Sequence, residues 1–206
     1  MSRLNHLIHQ IRFLLRNLQF GEVWEKLLRR AYSESVSYGL RRDITIPFEG
    51  PAPKIPIQVR PLQPEDVPRL LDVNAPRISE ETVKELIDRK SFVEKGVGTC
   101  YVAVDPKGNP CYMQWLIGAN ENESLAKIFN GGFPRLAPDE ALLEDAFTPE
   151  TYRGLRIMPA AMAQIAVKAK DIGARHVSTF VFHNNIPSLK GFKRAGFYPY
   201  LVRRDR

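Results

Sequence analysis

The 206-residue sequence has two cysteines, Cys100 and Cys111, and four histidines, His6, His9, His176 and His183. Two isolated thiols make neither a disulfide framework nor a Cys-x-x-Cys metal pair, and the histidine spacing suits no zinc site. A reducing, cytoplasmic setting without a structural metal is the expectation. No run approaches the roughly 20 uninterrupted apolar residues of a membrane-spanning helix. The amino-terminal stretch MSRLNHLIHQIRFLLRNLQF is broken by His6, His9, Gln10, Arg12 and Arg16, so it lacks the continuous apolar core of a signal peptide.

Basic charge is present, but its placement matters more than its size. The formal net charge is +7, and residues 1–45 hold eight Lys or Arg against four Asp or Glu. The remaining body is close to neutral apart from the end, Arg203-Arg204-Asp205-Arg206. No RNA- or DNA-binding motif accompanies the basic groups, so nucleic acid is not an expected partner.

Between Leu4 and Leu28, apolar residues such as Leu7, Ile11, Leu14, Leu18, Trp24 and Leu28 recur at helical spacing, with an interruption near Gly21. The pattern predicts amphipathic helix. Residues 1–30 can pack on the main domain or on a second copy in a homodimer, or they can lie on a membrane surface with Arg12 and Arg16 beside the apolar stripe. The organisation expected is a helical extension over 1–45, a proline-rich linker over 46–56 and a main domain over 57–206. The linker follows from Pro47, Pro51, Pro53 and Pro56, which exclude regular helix there.

The main domain reads as strands alternating with helices. A strand is expected at Ile57–Arg60, then a helix opened by Pro64-Glu65-Asp66 and a second one N-capped by Ser79. Thr99–Val104 and Cys111–Ile117 read as an antiparallel pair across Asp105-Pro-Lys-Gly-Asn-Pro110. The following GANENESLAKIFNGGFPRLAPDE reads as a less regular, loop-like stretch. Then come a strand at Ala141–Phe147, a helix at Ile157–Ile172 ending on Gly173, a strand at Val177–Phe182, a helix at Ser188–Ala195 and a last strand at Phe197–Val202.

The stretch from Ala141 to Tyr200 carries the chemistry. A strand that passes through the turn Arg153-Gly154 into a helix leaves several backbone N–H groups unpaired at the positive end of the helix dipole, which is a cradle for phosphate. Three segments in order, IQVRPLQPEDVPRLL, YRGLRIMPAAM and NIPSLKGFKRAGF, resemble the GNAT superfamily of acyl-CoA-dependent N-acyltransferases over roughly Ile57 to Val202. The resemblance implies an α/β domain with a mixed, mostly antiparallel sheet flanked by helices. It also implies acetyl-CoA, or another acyl-CoA, as co-substrate. Arg153, Gly154, Arg156, Ile157, Met158 and Ala160 fall on the loop and first helical turn that grip the CoA pyrophosphate. Phe147 and Thr148 fall where a strand end meets pantetheine and the thioester, and Asn185 and Ser188 where the outer part of CoA is contacted.

Several positions depart from the family's pattern. Arg156 and Met158 stand where small residues are usual, Pro159 offers no N–H, and one extra residue separates Pro149 from Arg153. Phe192 stands where many members carry a tyrosine that protonates the departing CoA thiolate. Catalysis then rests on the base that takes a proton from the attacking ammonium. Glu144 and Asp145, on the strand bordering the expected cleft, are the candidates, and strand alternation predicts that one of the two points into it. His183 is a spare candidate. The expected function is acyl transfer from acetyl-CoA to a small-molecule or peptide amine by direct attack, without a metal. The alternative is a CoA-binding regulatory module with weak or no turnover.

Overall fold

A computed structural model describes residues 35–76, 78–129 and 132–205. The expected amino-terminal helix lies outside these residues. One compact unit runs from Ser37 to Val202.

Its frame is a seven-stranded sheet: β1 (Ser35–Asp43), β2 (Gln58–Pro61), β3 (Thr99–Val104), β4 (Pro110–Gly118), β5 (Glu140–Phe147), β6 (His176–Phe182) and β7 (Tyr198–Asp205). Across the sheet the order is β2-β3-β4-β5-β6-β1-β7. The pairs β2–β3, β3–β4, β4–β5 and β1–β6 are antiparallel, and β5–β6 is parallel. The helices are α1 (Asp66–Leu70), α2 (Glu80–Lys95), α3 (Asn122–Ile128), α4 (Ile157–Lys168) and α5 (Ile186–Arg194). This is the mixed α/β architecture that the sequence predicts.

The local signals behave as chemistry requires. Ser79 caps α2 by accepting the Thr82 N–H at 3.1 Å, and Gly96 closes that helix in the left-handed region at φ 63°. All nine residues of β4 are buried, because both faces of this central strand are covered. On one face Tyr112, Leu116, Leu143 and Leu40 pack against Ile157, Met162 and Ile165 of α4 and Phe192 of α5. On the other, Met113, Trp115, Ile117 and Leu142 pack against Leu70, Leu86, Phe92 and Leu125 from α1, α2 and α3.

Three expectations need correction. Residues 35–43, placed in the helical extension, form a strand inserted between β6 and β7, so the sheet recruits chain well before residue 57. Val36, Tyr38 and Leu40 belong to a strand period, and Leu40 buries against the α4 side. The proline-rich stretch is not a free spacer. The Phe48 ring lies where a Cβ at Gly196 would stand 2.9 Å away, and Lys54 N–H donates to the Leu155 carbonyl at 2.8 Å. Finally, the stretch read as irregular contains α3, which Asn122 anchors by a two-way hydrogen bond to the Leu136 backbone.

Candidate active site

β5 and β6 stay paired over Glu140–Leu142 and His176–Ser178 and then separate. The separation opens a cleft of about 590 Å³ between the end of β5, the loop into α4 and the start of α5. Phe147, Thr148, Arg153, Gly154, Arg156, Ile157, Met158, Asn185 and Ser188 all border it. Of the residues that the resemblance implies for CoA, Ala160 alone lies off the cleft, buried on α4 at 2% exposure.

The loop explains itself residue by residue. Glu150–Tyr152 form one 3-10 turn, which takes up the extra residue before Arg153. The Tyr152 hydroxyl ties that turn to the β3–β4 connection by donating to Asp105 Oδ2 at 3.0 Å. Asp105 also accepts from Asn109 and Lys107, and these bonds hold its carboxyl down at about 2. Gly154 has φ 77°, and a Cβ there would meet no atom within 4 Å. The glycine is needed for its left-handed backbone, and the space above it is open.

Arg156 is the N-cap of α4 with φ 58°, so the left-handed conformation persists although the residue is not glycine. Beyond it, the N–H groups of Ile157 and Met158 lie in a first turn that has no intrahelical acceptors for them. Pro159 falls in the same turn, where a missing donor costs nothing. Met158 fits because Gly191 faces it: a Cβ at Gly191 would stand 2.9 Å from Met158 Cε. The bordering residues include Arg89, Arg153, Arg156 and Arg194 alongside one acid, Glu85, which suits a polyanion.

Asn185 has an evident local role. Its Oδ1 accepts the Ser188 N–H at 3.2 Å and caps α5. The Asn-x-x-Ser spacing is therefore a helix start placed on the rim of the cleft.

The two carboxylates occupy the opposite side of β5. Trp115 pairs with Glu144 and Met113 with Phe147, so Asp145 and Ala146 share the single opposing residue Gln114. This is a β-bulge, and Asp145 sits in it at φ 49°. The bulge breaks strand alternation, and both Glu144 and Asp145 face one pocket of about 380 Å³, with Asp88, Phe92, Lys95 and Phe129 among its walls. The expectation that only one of the two would point there is corrected by the extra residue.

Their electrostatics differ. Burial, with the Asp145 carboxylate beside it, pushes the Glu144 carboxyl up to about 8. Burial also raises Asp145, but Arg89 opposes it: Arg89 Nε donates to Asp145 Oδ1 at 3.1 Å. The same guanidinium stands 4.6 Å from the centre of the Phe147 ring. Arg89 borders the larger cleft and binds a wall of the smaller pocket, so it joins the two across β5. Sequence spacing gave no sign of it, since its partners lie on another element.

Phe192 is 3% exposed and meets Phe197 edge-on at 5.3 Å. It belongs to the core, and His183 lies exposed at the end of β6. Burial raises both thiols, Cys111 to about 11, so neither cysteine is a ready nucleophile. Among the described residues no group of three or more His, Cys, Asp or Glu is arranged to hold a metal ion, and no helix is long and apolar enough to cross a membrane.

No protein-family model matches the chain. It is 27% identical over 146 residues to an uncharacterized N-acetyltransferase, YycN, of Bacillus subtilis strain 168, a match covering 68% of this chain and 92% of that protein. Among solved structures, it is similar to a GNAT-family acetyltransferase from Colwellia psychrerythraea, with 14% identity over 82% of the chain and a TM-score of 0.52. It is also similar to a putative GNAT-family acetyltransferase from Novosphingobium aromaticivorans, with 13% identity over 83% of the chain and a TM-score of 0.51. The chain spans 54% and 62% of the lengths of those two proteins. The sheet that parts between β5 and β6 and the likeness to these two structures give the chain the fold of GNAT-family acetyltransferases, and its sequence is similar to that of YycN.

Proposed function

We propose that the chain transfers an acyl group, acetyl in the simplest case, from CoA to an amine by direct attack. The observation that carries this reading is the parting of β5 from β6, with an arginine-rich cleft on one side of β5 and a raised carboxyl on the other. The CoA pyrophosphate lies against the first-turn amides of α4 with Arg153 and Arg156 beside it. Pantetheine runs along Phe147 and Thr148 and leaves the thioester at the bulge.

The amine enters from the Glu144 side, gives a proton to the Glu144 carboxylate and attacks the carbonyl carbon. The developing oxyanion meets a backbone N–H near Phe147, the C–S bond then breaks, and the amide nitrogen gives its second proton to solvent. CoA leaves as thiolate, which a thiol pKa of roughly 8.5 allows without an acid at Phe192. The Tyr152 hydroxyl is engaged with Asp105 and is not needed.

Calorimetric titration with acetyl-CoA tests the cofactor half of this reading. Binding near micromolar is expected for the full chain, and Gly154→Trp, which fills the open space above the loop, is expected to abolish it while the circular dichroism spectrum is retained. Unaltered binding by Gly154→Trp places CoA elsewhere. A second reading, a CoA-binding module without turnover, is favoured by Phe192 alone. Tight binding together with no acetylated product from any amine would establish it.

Arg156 gives a finer test. Arg156→Gly removes a left-handed non-glycine residue and is expected to raise Tm by about 1–4 °C, the equivalent of up to about 1 kcal/mol. Acetyl-CoA affinity is expected to fall severalfold at the same time, because the guanidinium is lost from the cleft. A variant that gains stability and keeps full affinity would show that Arg156 is a surface residue only.

A further inference from the structure

Arg89 of α2 grips β5 on either side of Ala146. Its Nε donates to Asp145 Oδ1 at 3.1 Å, and its guanidinium carbon stands 4.6 Å from the centre of the Phe147 ring. One turn back on α2, Glu85 Oε2 accepts from Nη1 at 3.3 Å and steadies the fork. Of the four arginines that border the larger cleft, Arg89 alone pairs with carboxylates among the described residues. Its charge is balanced before any phosphate arrives, which sets it apart from Arg153, Arg156 and Arg194.

The grip falls on a strained place in the strand. Asp145 has φ 49° without being glycine, and such a conformation persists in a strand where the surroundings impose it. The bulge turns Glu144 and Asp145 into one pocket and sets the course of the chain at Ala146 and Phe147, which border the larger cleft. A residue that fixes the bulge therefore acts on both sides of β5 at once.

The charges around the bulge depend on the same side chain. Burial, and then Glu85 and Asp88 of α2, act against ionisation of Asp145, and Arg89 opposes them. Lys95 borders the same pocket, and the end of α3 brings only the apolar Ile128 and Phe129. Cys100 of β3 and Tyr112 of β4 are kept protonated by burial. The Asp145 carboxylate is in turn the charge that, after burial, raises Glu144.

We propose that Arg89 is a positioning residue for the transfer: bonded to Asp145 and lying over Phe147, it clamps the β5 bulge from α2 and holds Glu144 and the thioester-binding backbone in one arrangement. It acts through Asp145 and adds no contact to the phosphates of CoA. The inference rests on the acyl-transfer reading.

The test compares Arg89→Met, Arg89→Lys, Asp145→Asn and the double variant Arg89→Met/Asp145→Asn in the full chain. Acetyl-CoA is the donor, and spermidine, glucosamine and alanine methyl ester are the amines, the one that the wild type turns over serving for all variants. Arg89→Met is expected to lower kcat about tenfold or more, with the acetyl-CoA dissociation constant held within about threefold. It is also expected to move the rising limb of kcat/KM to lower pH, because Asp145 takes up a proton once its cation is gone. Arg89→Lys keeps the charge but not the planar fork, so the limb stays in place and part of kcat returns. In the Asp145→Asn background, Arg89→Met moves the limb no further. Arg89→Gln takes the place of Arg89→Met should circular dichroism show the latter unfolded.

A dissociation constant raised about tenfold with kcat unaltered makes Arg89 a phosphate ligand and overturns the proposal. So does a limb that stays in place in Arg89→Met, or one that moves equally in the Asp145→Asn background. Failure of the acyl-transfer reading appears differently, as no acetyl-CoA binding or no product from any amine in the wild type. The clamp is then read without turnover, from the carboxyl carbon resonances of Glu144 and Asp145 against pH. Arg89→Met is expected to raise the Asp145 midpoint and lower that of Glu144, and unaltered midpoints overturn the proposal.

Discussion

Glu144→Gln is expected to lower kcat/KM by about 100-fold or more, the scale of a lost general base, with acetyl-CoA affinity held within about twofold. The shape of the pH profile separates this from a structural loss. With the Glu144 carboxyl raised to about 8, the wild-type kcat/KM rises with pH through about 8 and levels off above it, because only the carboxylate accepts the ammonium proton. In Glu144→Gln that limb disappears, and only the limb from the amine's own ionisation remains. Asp145→Asn removes the like charge beside Glu144 and is expected to move the limb toward lower pH with a smaller loss of rate, since Asp145 is engaged by Arg89. Stability gives an independent check of sign. A carboxyl whose folded pKa lies above its unfolded value holds its proton more tightly when folded. Its contribution is complete below about 4.5 and is lost as pH rises through about 8. Urea midpoints of Glu144→Gln should therefore gain on the wild type between pH 5 and pH 8. A pH-rate limb that survives in Glu144→Gln would assign it to another group.

The parts of this molecule that chain-local chemistry determines are legible in the sequence. Ser79 with Thr82 two places into a helix, Gly173 after a run of apolar helix and Asp105-Pro-Lys-Gly-Asn-Pro110 between two apolar strands each carry their own signal. The loop at Gly154 was legible for the same reason, since a left-handed turn before a helix needs a residue that tolerates it. Features that depend on a partner far along the chain were not. Ser35–Asp43 is a nine-residue strand with glycine and two arginines, and only its slot between β6 and β7 makes it sheet. The bulge at Asp145 is set by pairing with β4, so the sequence of β5 alone predicted plain alternation. Arg89 gains its position from Asp145, 56 residues away, and α3 from Asn122 reaching Leu136. At Phe192 the residue type was readable as the absence of an acid, and its burial against Phe197 was not.

Arg42→Ala is expected to have the largest effect on stability, about 3 kcal/mol or more by urea denaturation. The residue is 5% exposed on β1, and its guanidinium reaches three other parts of the domain. Nη1 donates to the Ala163 carbonyl of α4 at 3.4 Å and to the Ala195 carbonyl at the end of α5 at 3.1 Å. The second contact sets a cation at the negative end of a helix dipole. The guanidinium carbon also stands 4.5 Å from the centre of the Phe48 ring, so the proline-rich stretch is held by the same side chain. Burial lowers the arginine pKa, but an arginine stays charged, and truncation leaves buried carbonyls without their donor. Arg42→Met keeps the apolar stem and loses only the donors, so its loss should fall between the wild type and Arg42→Ala. Because α4 and α5 begin at the cleft with Ile157, Met158, Asn185 and Ser188, a domain loosened at Arg42 is also expected to bind acetyl-CoA more weakly, although the side chain is not among the residues that border the cleft. An unaltered urea midpoint in Arg42→Ala would mean that β1 is held by its strand neighbours and the packing of Leu40 without the guanidinium, and the coupling of the proline-rich stretch to the cleft would fall with it.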